Sequence, residues 1–145
     1  MKPQPIAAIR VTTEPARIGE AFREVLPEVA SYLEGAGASP AGAPFARFFD
    51  YAEDEADFEA GFPLSEPVSG EGRIAAGELP GGLAAVTTHI GPYEGLQDTH
   101  AAMGEWVLAN GHDPSGPVWE IYLTGPVDEE DSSKWRTEVV WPLRK

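Results

Sequence analysis

One segment pattern occurs twice in the chain, and this repetition constrains the fold more than any other property. Val11-Thr12-Thr13 recurs as Val86-Thr87-Thr88, each followed by a helix-length stretch that ends at a glycine, Gly35 or Gly111. A proline-led aromatic segment follows in both halves, with Pro44-Phe45-Ala46-Arg47-Phe48-Phe49 matching Pro117-Val118-Trp119-Glu120-Ile121-Tyr122. After it, Glu59-Ala60-Gly61-Phe62-Pro63-Leu64 matches Glu138-Val139-Val140-Trp141-Pro142-Leu143. In this alignment Arg47 stands where Glu120 stands. Copies of a scaffold must agree where they pack, so a charge inversion at a matched strand position marks a specialised pocket. Glu120 is therefore the first candidate functional residue.

Apolar periodicity assigns the elements. Ile6 to Thr13 is rich in β-branched residues and reads as a strand. From Pro15 onward Ile18, Phe22, Val25, Leu26, Val29, Tyr32, Leu33 and Ala36 recur at helical spacing, with a kink expected at Pro27 and stop signals at Gly35 and Gly37. Phe45 to Tyr51 and Asp57 to Leu64 form a hairpin. The stretch from Glu66 to Gly82, rich in Gly, Pro and small side chains, is read as the seam between the copies. Leu83 to Ile90, Glu94 to Asn110, Val118 to Thr124 and Trp135 to Leu143 repeat the order, with Leu96, Met103, Trp106 and Val107 expected on the inner face of the second helix. The chain is thus an α+β protein of duplicated strand-helix-strand-strand units with antiparallel sheets. It is read as one domain over 1–145, with a first repeat at about 6–67, a seam at 68–82 and a second repeat at about 83–144. Each helix covers one face of its own sheet, and the other faces are expected to enclose a central cleft between the copies.

Composition excludes several functions. With 10 Lys and Arg against 24 Asp and Glu the net charge is −14, which repels phosphate backbones and argues against direct nucleic-acid binding. No segment approaches the roughly 20 continuous apolar residues of a membrane span. Cysteine is absent and Met1-Lys2-Pro3-Gln4 has no signal-peptide character, so a cytoplasmic protein is expected. His89, His100 and His112 lie on a strand end, a helix and a loop, without the spacing of a metal pair. The acidic runs Glu53-Asp54-Glu55 and Asp128-Glu129-Glu130-Asp131 read as solvated hairpin turns. No metal and no cofactor is expected.

Strand alternation sorts the candidate site. Trp119, Ile121 and Leu123 are assigned to the helix-covered core together with Thr137, Val139 and Trp141. The other face then carries Val118, Glu120, Tyr122, Thr124, Arg136, Glu138 and Val140. In the first copy the matching face carries Phe45, Arg47, Phe49 and Tyr51, with Glu59 on the neighbouring strand. Aromatic walls around a carboxylate suit a flat organic ligand with a cationic group, where cation–π attraction adds about 0.5 to 2 kcal/mol. A carboxylate in such surroundings is also a candidate proton shuttle or base for water, with Tyr122 as a hydrogen-bond donor. The opposing expectation is a structural salt bridge between Arg47 and Glu120.

These residues carry a resemblance. His89-Ile90-Gly91-Pro92-Tyr93-Glu94-Gly95-Leu96, then Trp106 and Gly111, Val118-Trp119-Glu120-Ile121-Tyr122 and Thr137-Glu138-Val139-Val140-Trp141-Pro142-Leu143 together resemble the GyrI-like small-molecule-binding domain. That module also serves as the effector-binding domain of AraC-type and multidrug-responsive MerR-type regulators. The resemblance implies a glutamate on the penultimate strand that contacts lipophilic cations, here Glu120, and aromatic cleft walls, here Phe45, Phe49, Tyr51 and Tyr122. It further implies that relatives hydrolysing electrophilic cyclopropane-bearing toxins would use the equivalents of Glu120 and Tyr122, with Tyr93 as the second candidate donor. A separate DNA-binding region is not expected within this length and charge. The leading expectation is a stand-alone module binding amphipathic, cationic aromatic compounds through Glu120, Tyr122, Phe45, Arg47, Phe49, Tyr51, Val118 and Glu138. The alternatives are the cyclopropane hydrolase and an acidic inhibitor docking on a protein partner. Either a monomer or a homodimer fits.

Overall fold

A computed structural model of the chain describes residues 2–52, 54–124 and 129–144, with the side chains of Tyr51 and Glu94 outside the description. Glu53 and Asp128 of the two acidic runs also fall outside the described residues. The chain divides into two compact units, Lys2–Gly81 and Gly82–Lys145. The first contains β1 (Gln4–Thr13), α1 (Ile18–Gly35), β2 (Phe45–Tyr51), β3 (Ala56–Pro63) and β4 (Ile74–Leu79). The second contains β5 (Ala84–Ile90), α2 (Leu96–Ala109), β6 (Trp119–Thr124) and β7 (Arg136–Pro142).

Every pairing within the units is antiparallel. In the first unit β3 lies between β1 and β2, and β4 adds to the free side of β1. In the second, β7 lies between β5 and β6. The expected α+β duplication is therefore present as strand-helix-strand-strand, with the last strand central each time. The segment read as the seam supplies a further strand, β4, that the sequence reading did not assign. Its run Ile74-Ala75-Ala76-Gly77-Glu78-Leu79 buries only its ends, Ile74 and Leu79, and its small exposed middle carries no alternation to announce a strand.

The helices follow their apolar stripes. Val25, Val29 and Leu33 are the buried residues of α1, and Phe22 meets Phe58 of β3 edge to face at 5.5 Å. Helix α1 is continuous through Pro27. Pro27 and Arg23, whose carbonyl the proline cannot pair, are both exposed, so water can complete that carbonyl. Both helices end alike. The Ala38 N–H donates to the Leu33 carbonyl at 2.9 Å and the His112 N–H to the Val107 carbonyl at 3.0 Å, around Gly37 and Gly111 at φ 70° and 73°. In α2, Leu96, Met103 and Val107 are buried with Ala85, Val139 and Leu143. Trp106, expected in this core, instead stands half exposed and stacks on His112 at 6.0 Å. It lies about 100° around the helix from Val107, off the buried stripe. Among the described residues no helix is long and apolar enough to cross a membrane.

Pairing registers show which residues of the two units are equivalent. Ala46 pairs with Ala60, Arg47 with Glu59 and Phe48 with Phe58, followed by a bulge before Asp50. Glu120 pairs with Val139, Ile121 with Glu138 and Tyr122 with Thr137, followed by a bulge before Thr124. The match of β3 to β7 read from sequence is correct, and with it Ala46 is the counterpart of Glu120 and Arg47 the counterpart of Ile121. The apparent charge inversion is thus a one-residue misregister. Likewise Val11 pairs with Phe58 as His89 pairs with Thr137, so Val11 corresponds to His89 and not to Val86.

Gly61 leaves no room for a side chain. A Cβ there would stand 1.9 Å from the Ala7 carbonyl oxygen and 2.7 Å from the Ala8 Cα, where only backbone movement could relieve it. Gly61→Ala is therefore expected to destabilise by at least the roughly 1 to 3 kcal/mol of an overpacked core. Gly42→Ala, whose Cβ would sit at an ordinary 3.6 Å from Pro63, should stay within about 0.5 kcal/mol. Urea unfolding of the two variants tests this, and equal midpoints would refute it.

Candidate functional site

The candidate site of the second unit centres on Glu120. Its residue surface is 5% exposed. Both carboxylate oxygens are engaged: the Tyr122 hydroxyl donates to Oε1 at 2.7 Å, and His100 Nε2 lies 2.6 Å from Oε2. An ionised carboxylate only accepts, so the proton of the second bond resides on Nε2. Hydrogen bonds to a charged group contribute about 1.5 to 3 kcal/mol each. They offset the cost of burying the group.

Register explains how these groups meet. Directly paired residues share a face, so Glu120 and Tyr122 lie with Val139 and Thr137, which belong to the side packed against α2. His100 reaches them from α2, one turn after Leu96 and one before Met103, in the same stripe. Sequence alternation placed Thr137, Val139 and Trp141 on the helix side but put Glu120 and Tyr122 opposite them. Alternation gives the period of each strand and not the register between strands, and the bulge between Tyr122 and Thr124 hides the offset. Glu138 pairs with Ile121 and so occupies the face opposite Glu120.

The segment after β5 positions the aromatic members. The Pro92 carbonyl can only accept, so His89 Nε2 donates to it at 2.9 Å, and in the neutral ring Nδ1 accepts from the Thr99 hydroxyl at 2.7 Å. His89 thereby ties the end of β5 to the turn and to α2. Gly95 accommodates the imidazole, since a Cβ there would meet His89 Cε1 at 2.9 Å. Gly91 adopts φ 122° and donates its N–H to the Trp135 carbonyl at 2.8 Å. Trp135 is fixed from the other side by its indole N–H on the Glu129 carbonyl at 2.7 Å. The turn so held sets the Tyr93 ring 4.9 Å from Trp135 and 5.8 Å from Tyr122. The His89-to-Leu96 motif is a mounting for Tyr93.

Of the remaining candidates, Phe45, Arg47 and Phe49 belong to the first unit. Phe45 is 1% exposed. Arg47 is held by Glu59 at 2.7 Å within the first unit. Phe49 has the Arg10 guanidinium 3.8 Å from its ring centroid and that of Arg47 at 5.1 Å. Arg10 in turn forks onto Asp57 at 2.6 and 2.8 Å. Arg47 and Glu120 each have partners inside their own unit. Val118 packs beside the second unit's core, and the Tyr51 side chain lies outside the described residues. His100 went unrecognised in the sequence because it was judged only as a metal ligand. Its signal was a titratable residue inside the apolar stripe Leu96, Met103, Val107. Among the described residues no group of three or more His, Asp or Glu side chains is placed to hold a metal ion.

The second unit thus places a buried carboxylate, a phenol and an imidazole beside two further aromatic rings. The chain belongs to the GyrI-like small molecule binding domain family, whose model matches residues 1–144. No curated protein matches the sequence. Among solved structures, the EcmrR C-terminal domain superposes with a TM-score of 0.90 at 22% identity, covering 100% of this chain and 94% of that one. In the EcmrR–DNA complex the TM-score is 0.88 at 22% identity, and this chain, covered in full, spans 55% of that chain's length. A hydrolase from Listeria innocua superposes at 0.66 with 13% identity over 99% of this chain and 88% of that one. SAV2435, solved bound to tetraphenylphosphonium, superposes at 0.58 with 12% identity over 99% and 90%. At these identities the likeness shows the shared fold.

Burial pushes the Tyr122 phenol well above its ordinary value of 10.0, and the adjacent Glu120 charge and its hydrogen bond push the same way, with Tyr93 adding to them. Below the unfolded phenol's pKa, about 10, both states keep the proton and Tyr122 contributes no pH dependence. Above it the unfolded chain releases the proton while the folded chain retains it. The unfolded state then binds fewer protons, and stability falls as pH rises. Phenolate absorbance during alkaline titration should show one tyrosine that ionises only on unfolding. Tyr122→Phe should abolish that late component and cost about 1.5 to 3 kcal/mol at neutral pH through the lost bond to Glu120.

Proposed function

We propose that the second unit binds amphipathic aromatic cations, with Glu120 as counter-charge and Tyr93, Tyr122 and Trp135 as aromatic surface. The observation that carries this reading is a buried carboxylate that, among the described residues, bonds an imidazole through one oxygen and a phenol through the other. A lipophilic cation gains where it replaces such donors, because the anion is already desolvated and the rings supply cation–π attraction of about 0.5 to 2 kcal/mol. His100 and Tyr93, which both reach solvent, are the points of entry. The neighbour SAV2435 with bound tetraphenylphosphonium supports a cationic ligand class for this fold.

The test is thermal denaturation with tetraphenylphosphonium and with neutral triphenylphosphine oxide, on wild type and Glu120→Gln. Glutamine keeps the shape and can still bond Tyr122 and His100. At a ligand concentration of 100 times Kd the fold gains about 2.7 kcal/mol, so the wild-type melting temperature should rise roughly 5 to 10 °C with the cation. Glu120→Gln should lose most of that rise while its response to the neutral compound stays unchanged. No response of wild type, or an equal cation response in the variant, would sink the reading.

A second reading rests on the same hydrogen bonds. Glu120 between His100 and Tyr122 has the form of a base whose protons are managed by two partners, which suits hydrolysis of an electrophilic ring by activated water. It requires product formation from a cyclopropane-bearing electrophile, abolished in Glu120→Gln. A binding module leaves the compound intact.

A further inference from the structure

Thr137 is 0% exposed, and its Oγ1 is the one buried side-chain polar atom without a hydrogen-bond partner among the described residues. Its position in β7 puts it directly opposite Tyr122 on one side and His89 on the other, on the face that carries Glu120. Neither neighbour satisfies it. Tyr122 gives its proton to Glu120, and the two nitrogens of His89 are engaged by Thr99 and Pro92. A buried hydroxyl without a partner is a standing cost to the fold, and valine, nearly the same shape and better suited to a strand, would remove it.

We propose that Thr137 is a second polar contact for the ligand, so that the site selects aromatic cations bearing a hydrogen-bonding substituent such as a ring amine. This rests on the reading of the Glu120 cluster as a cation site. Tyr122 links the two functions, since it bonds Glu120 and faces Thr137 across the strands. A ligand that takes the place of Tyr122 at Glu120 Oε1 uncovers the Thr137 hydroxyl at the same time. One side of the ligand is then held by charge and the other by a neutral hydrogen bond. The site thereby distinguishes between cations of similar size, because an unpaired hydroxyl rewards a polar substituent and gives nothing to a purely hydrocarbon one.

The experiment compares wild type, Thr137→Val and Thr137→Ser by calorimetric titration with tetraphenylphosphonium, which has no hydrogen-bonding group, and with ethidium, which carries two ring amines. Thr137→Val should bind tetraphenylphosphonium within about twofold of wild type and ethidium about tenfold more weakly, the order expected for one neutral hydrogen bond. Thr137→Ser should restore ethidium binding. Without ligand, Thr137→Val should melt no lower than wild type. Unchanged ethidium affinity in Thr137→Val overturns the proposal, as does a lower melting temperature with both affinities unchanged, which would assign the hydroxyl to a resident water. Failure of wild type to bind either cation would instead overturn the cation site itself.

Discussion

A carboxylate buried beneath a helix must be given partners or lose its charge, and the second unit is organised around that requirement. Glu120 faces α2 because β6 pairs with β7 in the register that sets it beside Val139. Once there, it needs a donor from the helix and one from its own strand. His100 and Tyr122 supply them at 2.6 and 2.7 Å. His89 and the two glycines of the following turn then hold Tyr93 against Tyr122, so the motif with the most recognisable sequence is structural support for the less conspicuous residues beside it. This division of labour is what a ligand site needs, since groups that meet the ligand must be aimed by groups that do not.

The first unit resolves its charges differently. Its counterpart of Glu120 is Ala46, and the helix side of its sheet is apolar, with Phe48 tilted against Phe58 at 5.6 Å and Phe22 closing over the latter. The charged residues lie on the other side, where Arg10 with Asp57 and Arg47 with Glu59 make cross-strand pairs and the guanidinium of Arg10 covers Phe49. Arg47 and Glu59 are each about 15% exposed, so removing either would strand its partner at the surface of a largely covered strand. One copy of the duplicated unit has kept a dry helix–sheet core, and the other has accepted a buried ionisable group. Two units of one topology can diverge in this way because a fold fixes backbone positions and leaves the chemistry of each position open.

Much of this was legible in the sequence. Among the described residues, periods of two and of 3.6 located six of the seven strands and both helices, because amphipathic elements write their solvent face into the chain. Glu120 and Tyr122 stood out correctly as neighbours on one face of one strand. What failed was comparison between strands. The Val-Thr-Thr repeat and the Arg47-to-Glu120 match are similarities of composition that sit three residues and one residue out of structural register. Strand β4 was missed because an edge strand of small residues has no apolar alternation, and Trp106 was misplaced because a large aromatic residue near an apolar stripe looks buried whether or not it is.

Local periodicity and side-chain composition were enough for the amphipathic elements, their duplicated order and the residue types available for chemistry. That Glu120 faces a helix, that His100 is its partner, that Glu138 lies on the other face and that Thr137 is buried without a hydrogen bond came from the packed arrangement of the strands. Each of these follows from pairing register, and register is a long-range property: a slip of one residue reverses every face while leaving the local pattern unchanged.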